Sequence, residues 1–166
     1  MNFVQSATGG TMRTDGGLWA GFQGLVGWQD LLVSSLARWI YSGNNAVHSI
    51  NLLDGLGNLL GEVSLNAQVE PVGFVFINLN TPVRLPAGST FFVVSQEPGG
   101  ATEGWTDDDL VFTTTADAAV TYSVSTTDTN GVGVPTHSKS KAMFVPVNFQ
   151  YTIVASTPTP QVMVPT

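Results

Sequence analysis

The residues best suited to chemistry are crowded into one stretch, "SQEPGGATEGWTDDD", Ser95 to Asp109. It holds Glu97, Glu103, Asp107, Asp108 and Asp109, five of the twelve acidic residues of the 166-residue chain. Two carboxylates about 5 to 10 Å apart across a cleft would suit glycoside hydrolysis. Glu97 and Glu103, however, flank a Gly-Gly pair, with no sign of the buried, pKa-raising setting that acid catalysis needs. Neither a G-x-S-x-G elbow nor an H-E-x-x-H pair is present. The sequence therefore predicts no enzyme and no cofactor. Consecutive side chains on a strand alternate in direction, so Asp107 and Asp109 are the pair that could converge on calcium. The spacing of a calcium loop is absent, and a solvated charge run capping a strand is the competing reading.

The same stretch could instead bind sugar. An exposed aromatic ring stacks on a pyranose while amides and carboxylates bond its hydroxyls. Trp105, between Gly104 and Thr106, is the first candidate for the ring, with Gln96, Glu97 and Asp107 as polar contacts. Trp39, two residues before Tyr41 and close to "SGNN", is a second. In the alternative reading Trp105 folds back as a lid over the end of the domain.

Composition narrows the partners. The net charge is −7 and only five residues are Lys or Arg (Arg13, Arg38, Arg84, Lys139, Lys141), scattered along the chain. A phosphate backbone or an anionic membrane needs several cations on one face, so neither is an expected partner. Charged residues make up 10% of the chain, well below the usual quarter. The polar surface must come from Ser, Thr, Asn, Gln and Gly, as suits an extracellular or particle-surface protein. There is no cysteine, which removes disulfides, thiolate nucleophiles and zinc-thiolate sites. No apolar run is long enough to span a membrane, and "MNFVQSATGGTMRTDGG" is not a secretory leader.

The elements that must position these residues read as an all-β chain. Short runs of Val, Ile, Phe and Thr alternate with Gly, Pro, Asn and Asp. "LLVSSLARWIY" (31–41) reads as a strand, followed by the turn "SGNN". "VHSINLL" (47–53) puts His48, Ile50 and Leu52 on one face. "DGLGN" (54–58) reads as a hairpin turn headed by Asp54, and "LLGEVSLN" (59–66) returns antiparallel. "GFVFINL", a short "TPVRLPAG", "STFFVVSQE", "LVFTTT", "AVTYSVSTT" and "FVPVNFQYTIV" complete about nine or ten strands. Helical periodicity is absent. The expected fold is an antiparallel two-sheet β-sandwich, jelly-roll-like. His48 is expected to be a core residue that braces the turn containing Asn44. Trp19, Phe22 and Trp28 are expected to cover the core, with an interface as the alternative. The domain is expected at 25–155, between an extended N-terminal arm (1–24) and an extended Pro/Thr tail (156–166).

One run is similar to a known family. "LARWIYSGNNAVHSINLLDGLGNLLGEVSL" resembles a β-sandwich module of bacterial exported and surface proteins, often found beside glycan-active domains. The matching positions are Leu36, Trp39, Gly43, Asn44, His48, Leu52, Leu53, Asp54, Gly57 and Leu60. The likeness continues through Gly73–Glu97 and ends near Phe144–Ile153. It implies a non-catalytic, jelly-roll-like module with carbohydrate binding as its role. Ordinary members follow a signal peptide in longer chains, whereas this sequence, starting at Met1, is expected to stand alone. Two functions are therefore expected. The first is a decoration or cement protein on a phage capsid, located on the virion surface, whose arms contact neighbouring subunits. The second is a secreted, extracellular carbohydrate-binding module.

Overall fold

The computed structural model describes residues 1–155, and the Pro/Thr tail (156–166) lies outside the described residues. Thirteen strands follow in order: β1 (Val4–Thr8), β2 (Met12–Arg13), β3 (Leu18–Val26), β4 (Asp30–Ile40), β5 (Val47–Asp54), β6 (Leu59–Asn66), β7 (Gly73–Leu85), β8 (Thr90–Glu97), β9 (Trp105–Thr106), β10 (Val111–Thr114), β11 (Ala118–Thr126), β12 (Thr136–Ser140) and β13 (Val147–Val154). A 3₁₀ turn at Ala67–Val69 is the single helical element among the described residues. The count exceeds the nine or ten expected.

One sheet has the order β12-β11-β3-β8-β5-β6, and a second runs β13-β4-β7. The second is extended by β1, through the Asn2–Gln150 bridge and a bond from Phe3 N to Phe149 O of 2.9 Å, and β10 pairs in turn with β1. Every strand pairing is antiparallel. The facing quartets β3-β8-β5-β6 and β1-β13-β4-β7 have the strand order of a jelly roll. Residues 98–146 add β10 to one sheet and β11 and β12 to the other.

The junction of β1 with β13 uses a side chain as a rung. Asn148, fully buried, accepts from Val4 N (2.7 Å) and donates to Val4 O (3.0 Å), so its amide copies a backbone peptide.

Residues 1–24 are not an arm apart from the domain. Phe3 is fully buried and stacks on Phe149 at 4.7 Å, and β3 lies at the centre of the six-stranded sheet. The glycines of "LWAGFQGLV" mark close approach. A Cβ on Gly21 would lie 1.9 Å from the Val93 carbonyl oxygen, and one on Gly24 would lie 2.3 Å from the Phe91 ring. A second correction concerns β7, read above as two strands. It is continuous, but its register on β4 jumps from Asn78 opposite Ser35 to Val83 opposite Val33. Pro82 falls in that bulge, where no ladder donor is needed.

The main core fills the space between the sheets around Phe3, Phe22, Phe91 and Phe149. A smaller apolar layer (Trp19, Leu53, Phe92, Val94, Val124) covers the outer face of the six-stranded sheet. It is roofed by Val132 on the 127–135 loop, which Asn51 Nδ2 pins by bonds to Asn130 O and Gly131 O. β8 is therefore buried on both faces, which explains its unbroken apolar run. The 27–29, 55–58 and 86–89 turns share one end of the sandwich, hereafter the turn pole, and the 41–46 and 98–104 loops share the other.

Candidate functional site

The alternation of β4, β5 and β8 points Arg38, His48 and Glu97 inward at the loop end, and all three are fully buried. Arg38 and Glu97 come from opposite sheets and meet in a fork. Arg38 Nε donates to Glu97 Oε1 (3.0 Å) and Nη2 to Oε2 (2.8 Å). Nη1 donates to Trp39 O (2.7 Å) and Asn44 Oδ1 (3.0 Å), and Nη2 also to Gly104 O (3.2 Å). All five guanidinium donors are thus satisfied, the condition under which burying such a charge is tolerable.

His48 and Glu103 extend this network into the loops. His48 Nδ1 faces Gln96 O at 2.8 Å, so that nitrogen carries a proton. Nε2 lies within hydrogen-bond distance of Glu103 Oε2, at 3.0 Å. The other oxygen of Glu103 accepts from Asn45 N (2.7 Å) and Ala46 N (3.0 Å). Asn44 Nδ2 donates to Thr102 O (3.0 Å) and Gly104 O (3.2 Å), and its Oδ1 also accepts from Tyr41 N (2.9 Å). The 41–46 turn and the 98–104 loop are thereby sewn together over the end of the core. With Glu103 only 4% exposed, the cluster has no open face for a substrate. It braces loops.

Trp105 takes the lid position, which removes it as a sugar platform. Its ring is 1% exposed, Nε1 donates to Asp15 O (2.8 Å), and the Phe144 ring meets it edge-on at 5.8 Å. The Arg13 guanidinium lies 4.4 Å from the ring centroid. Glu97 is likewise closed to a ligand. Gln96 stays partly exposed, beside Leu18, Trp19 and Pro98 in a shallow depression. Trp39, half-buried against Phe74, lines another with Tyr41, Leu110 and Pro146.

The three aspartates diverge. Asp109 accepts from Thr11 N (2.7 Å) and Thr11 Oγ1 (2.6 Å), and those bonds, the hydroxyl first, hold its carboxyl below the usual range. Asp108 accepts from Ser123 and Ser138. Asp107 accepts from Asp108 N and lies 3.6 Å from Arg13. Asp107 and Asp109 therefore do not converge on calcium. Among the described residues, no group of three or more His, Asp or Glu side chains is placed to hold a metal ion. Asp54 closes its hairpin by accepting from Leu56 N, Asn58 N and Asn58 Nδ2.

The turn pole carries the largest departure from expectation. Trp19 and Phe22 cover the core, but Trp28 is 96% exposed. Its turn is nevertheless braced on both sides. Gly27 N donates to Asp117 O (2.8 Å), and Gly88 N to both Val26 O and Gly27 O (3.1 Å each). Asp30 accepts from Ala87 N (2.8 Å) and Arg84 Nε (2.6 Å), in that order the causes of its lowered pKa. Sequence reasoning missed Arg38 as the partner of Glu97. The available signal was a lone cation inside the apolar run "LLVSSLARWIY". No protein-family model and no curated protein matches this chain.

Proposed function

We propose that this protein is a non-catalytic structural module that attaches to a large protein assembly, as a decoration or cement protein on the surface of a phage capsid. The observation that carries this reading is Trp28. A tryptophan 96% exposed on a braced turn is a pre-formed anchor, of the residue type that dominates interface energetics. It is ready to bury most of its area at little cost in ordering, because the turn beneath it is already fixed. The sealed Arg38–Glu97–His48–Glu103 cluster supports the same reading, since the chain's main concentration of ionisable groups is spent on holding loops. The sparse charge also suits a chain packed against protein neighbours.

The experiment is re-attachment to particles. Capsids stripped of the protein are mixed with the wild-type chain or with Trp28→Glu and sedimented. Wild type is expected to co-sediment and Trp28→Glu to stay in solution. Equal binding of both chains would refute the reading. A wild-type chain that ignores particles, yet is retained by polysaccharide and released by Trp28→Ala, would support a secreted carbohydrate-binding module instead.

A further inference from the structure

The 127–135 loop, which roofs the outer apolar layer through Val132, is held at three points. Asp128 Oδ1 accepts from Asn130 N (2.9 Å) and Val132 N (3.3 Å), and Gly131 N donates to Asp128 O (3.2 Å). The buried amide of Asn51 donates to Asn130 O (3.0 Å) and Gly131 O (3.1 Å). Gly133 N donates to Gly57 O (2.9 Å). Asn130 itself is exposed, and it alone among the asparagines of the chain precedes a glycine. Glycine has no Cβ to hinder attack by its nitrogen on the side-chain amide before it. We infer that Asn130–Gly131 is a self-modification site that converts to isoaspartate and aspartate, with Asn51 as the positioning residue that restrains it.

The chemistry needs only water. The Gly131 nitrogen attacks Asn130 Cγ. A Cγ–N bond forms, the Cγ–Nδ2 bond breaks, and ammonia leaves with the Gly131 proton. Water then opens the cyclic imide. Opening at Cγ gives aspartate, and opening at the former main-chain carbonyl gives isoaspartate, whose backbone runs through Cβ. Water enters, ammonia leaves, and nothing is oxidised or reduced. The folded loop holds this reaction back. Gly131 N is engaged by Asp128 O, and a Cβ on Gly131 would lie 2.3 Å from the Trp19 ring, so the residue is packed tightly. Bringing Gly131 N to Cγ requires rotation about the Asn130 Cα–C bond. That rotation swings Asn130 O away from Asn51 Nδ2, so attack waits on release of the pin. The isoaspartate product is not pinned again. Its former main-chain carbonyl is now a free carboxylate, and the added backbone carbon displaces Gly131 O. The new charge also stands two residues from Asp128, which favours the open loop. Val132 then leaves the layer and Trp19 is uncovered, in a step that runs one way. This change lies on the outer face of the six-stranded sheet and is independent of Trp28.

The test is peptide mapping of the full chain during incubation at mildly alkaline pH, folded in buffer and unfolded in guanidinium chloride. The unfolded chain should convert at Asn130 before any other asparagine. The folded chain should convert at the same residue at least about tenfold more slowly, as for a loop that must first open. Asn51→Ala should bring the folded rate toward the unfolded one. Asp128→Ala should do the same from an exposed position, so its folding is not at risk. Asn130→Gln should abolish the conversion. In a Trp28→Phe background, iodide quenching should rise in step with conversion as Trp19 is uncovered, and should stay flat in Asn130→Gln. A folded chain that converts as fast as the unfolded one, a rate that neither Asn51→Ala nor Asp128→Ala raises, or conversion without a rise in quenching would each overturn the inference.

Discussion

Replacing Glu97 with Gln keeps the shape of the side chain and removes one charge from a fully buried pair. The Arg38 guanidinium then keeps three neutral acceptors, Trp39 O, Asn44 Oδ1 and Gly104 O. It loses its counter-charge, and the new amide turns a donor toward it. A buried ion left without its partner costs about 3–5 kcal/mol, against about 0–1 kcal/mol for breaking a solvated pair. For a domain of this size that corresponds to a fall in Tm of roughly 6–20 °C. Arg38→Met should cost a similar amount, by stranding the carboxylate. The double variant Arg38→Met/Glu97→Leu removes both charges and should recover most of the loss, giving a coupling of about 2 kcal/mol or more. Urea denaturation of the four chains, with midpoints and slopes fitted together, reads the cycle. Single variants that cost about 1 kcal/mol or less, or costs that simply add in the double, would refute the view that this pair clamps the two sheets.

Three further outcomes follow from the same structure. Of the four tryptophans, Trp28 should supply most of the red-shifted, iodide-quenchable emission, because Trp19 and Trp105 are 6% and 1% exposed and Trp39 is half-buried. Trp28→Phe should remove that component, leaving the weaker quenching of half-buried Trp39, while shifting stability by less than about 0.5 kcal/mol, and quenching unchanged by the substitution would count against the exposed turn. Gly21→Ala should lower stability by roughly 3 kcal/mol, the upper end of overpacking, because its Cβ would meet the Val93 carbonyl; an unchanged urea midpoint would show that β3 and β8 are farther apart. Burial first, and then the hydrogen bond to Asp117, push the Tyr151 phenol up to about 12. The folded state holds this proton more tightly than the unfolded one, so the contribution is intact below about pH 10. It is lost as the pH rises to about 12, and Tyr151→Phe should flatten that alkaline loss; parallel stability curves for the two chains would contradict it.

The pattern of β5 and β6 was plain in the sequence, because alternation set His48, Ile50 and Leu52 on one face and a hairpin turn joined the strands. β3 was obscured because its glycines serve neighbours, Val93 and Phe91, some seventy residues away. The two tryptophans make the sharper case. "GWTD" at 104–107 and "GWQD" at 27–30 differ in one residue, yet Trp105 is buried and Trp28 is exposed. Local composition is the same in both. Burial is decided by β2, which brings Arg13 across Trp105, and by the absence of any such strand over the 27–29 turn among the described residues. Arg38 and Glu97 lie fifty-nine positions apart, and only the sandwich topology makes them neighbours. What a sequence encodes within one strand is readable, while what it encodes between sheets is not.

The amide of Asn148 has a meaning beyond its two hydrogen bonds. A backbone ladder is blind to slippage, since every residue offers the same donor and acceptor. Sliding β1 by two residues would keep each side chain on its own face, and the main-chain groups could pair again. The Asn148 amide would pair again as well, because it bonds only the peptide N–H and C=O of Val4, which Asn2 and Ser6 also offer. The index mark is therefore Phe3, whose fully buried ring stacked on Phe149 would lose its seat in any slide, while Asn148 supplies a rung that accepts whichever residue Phe3 sets opposite it.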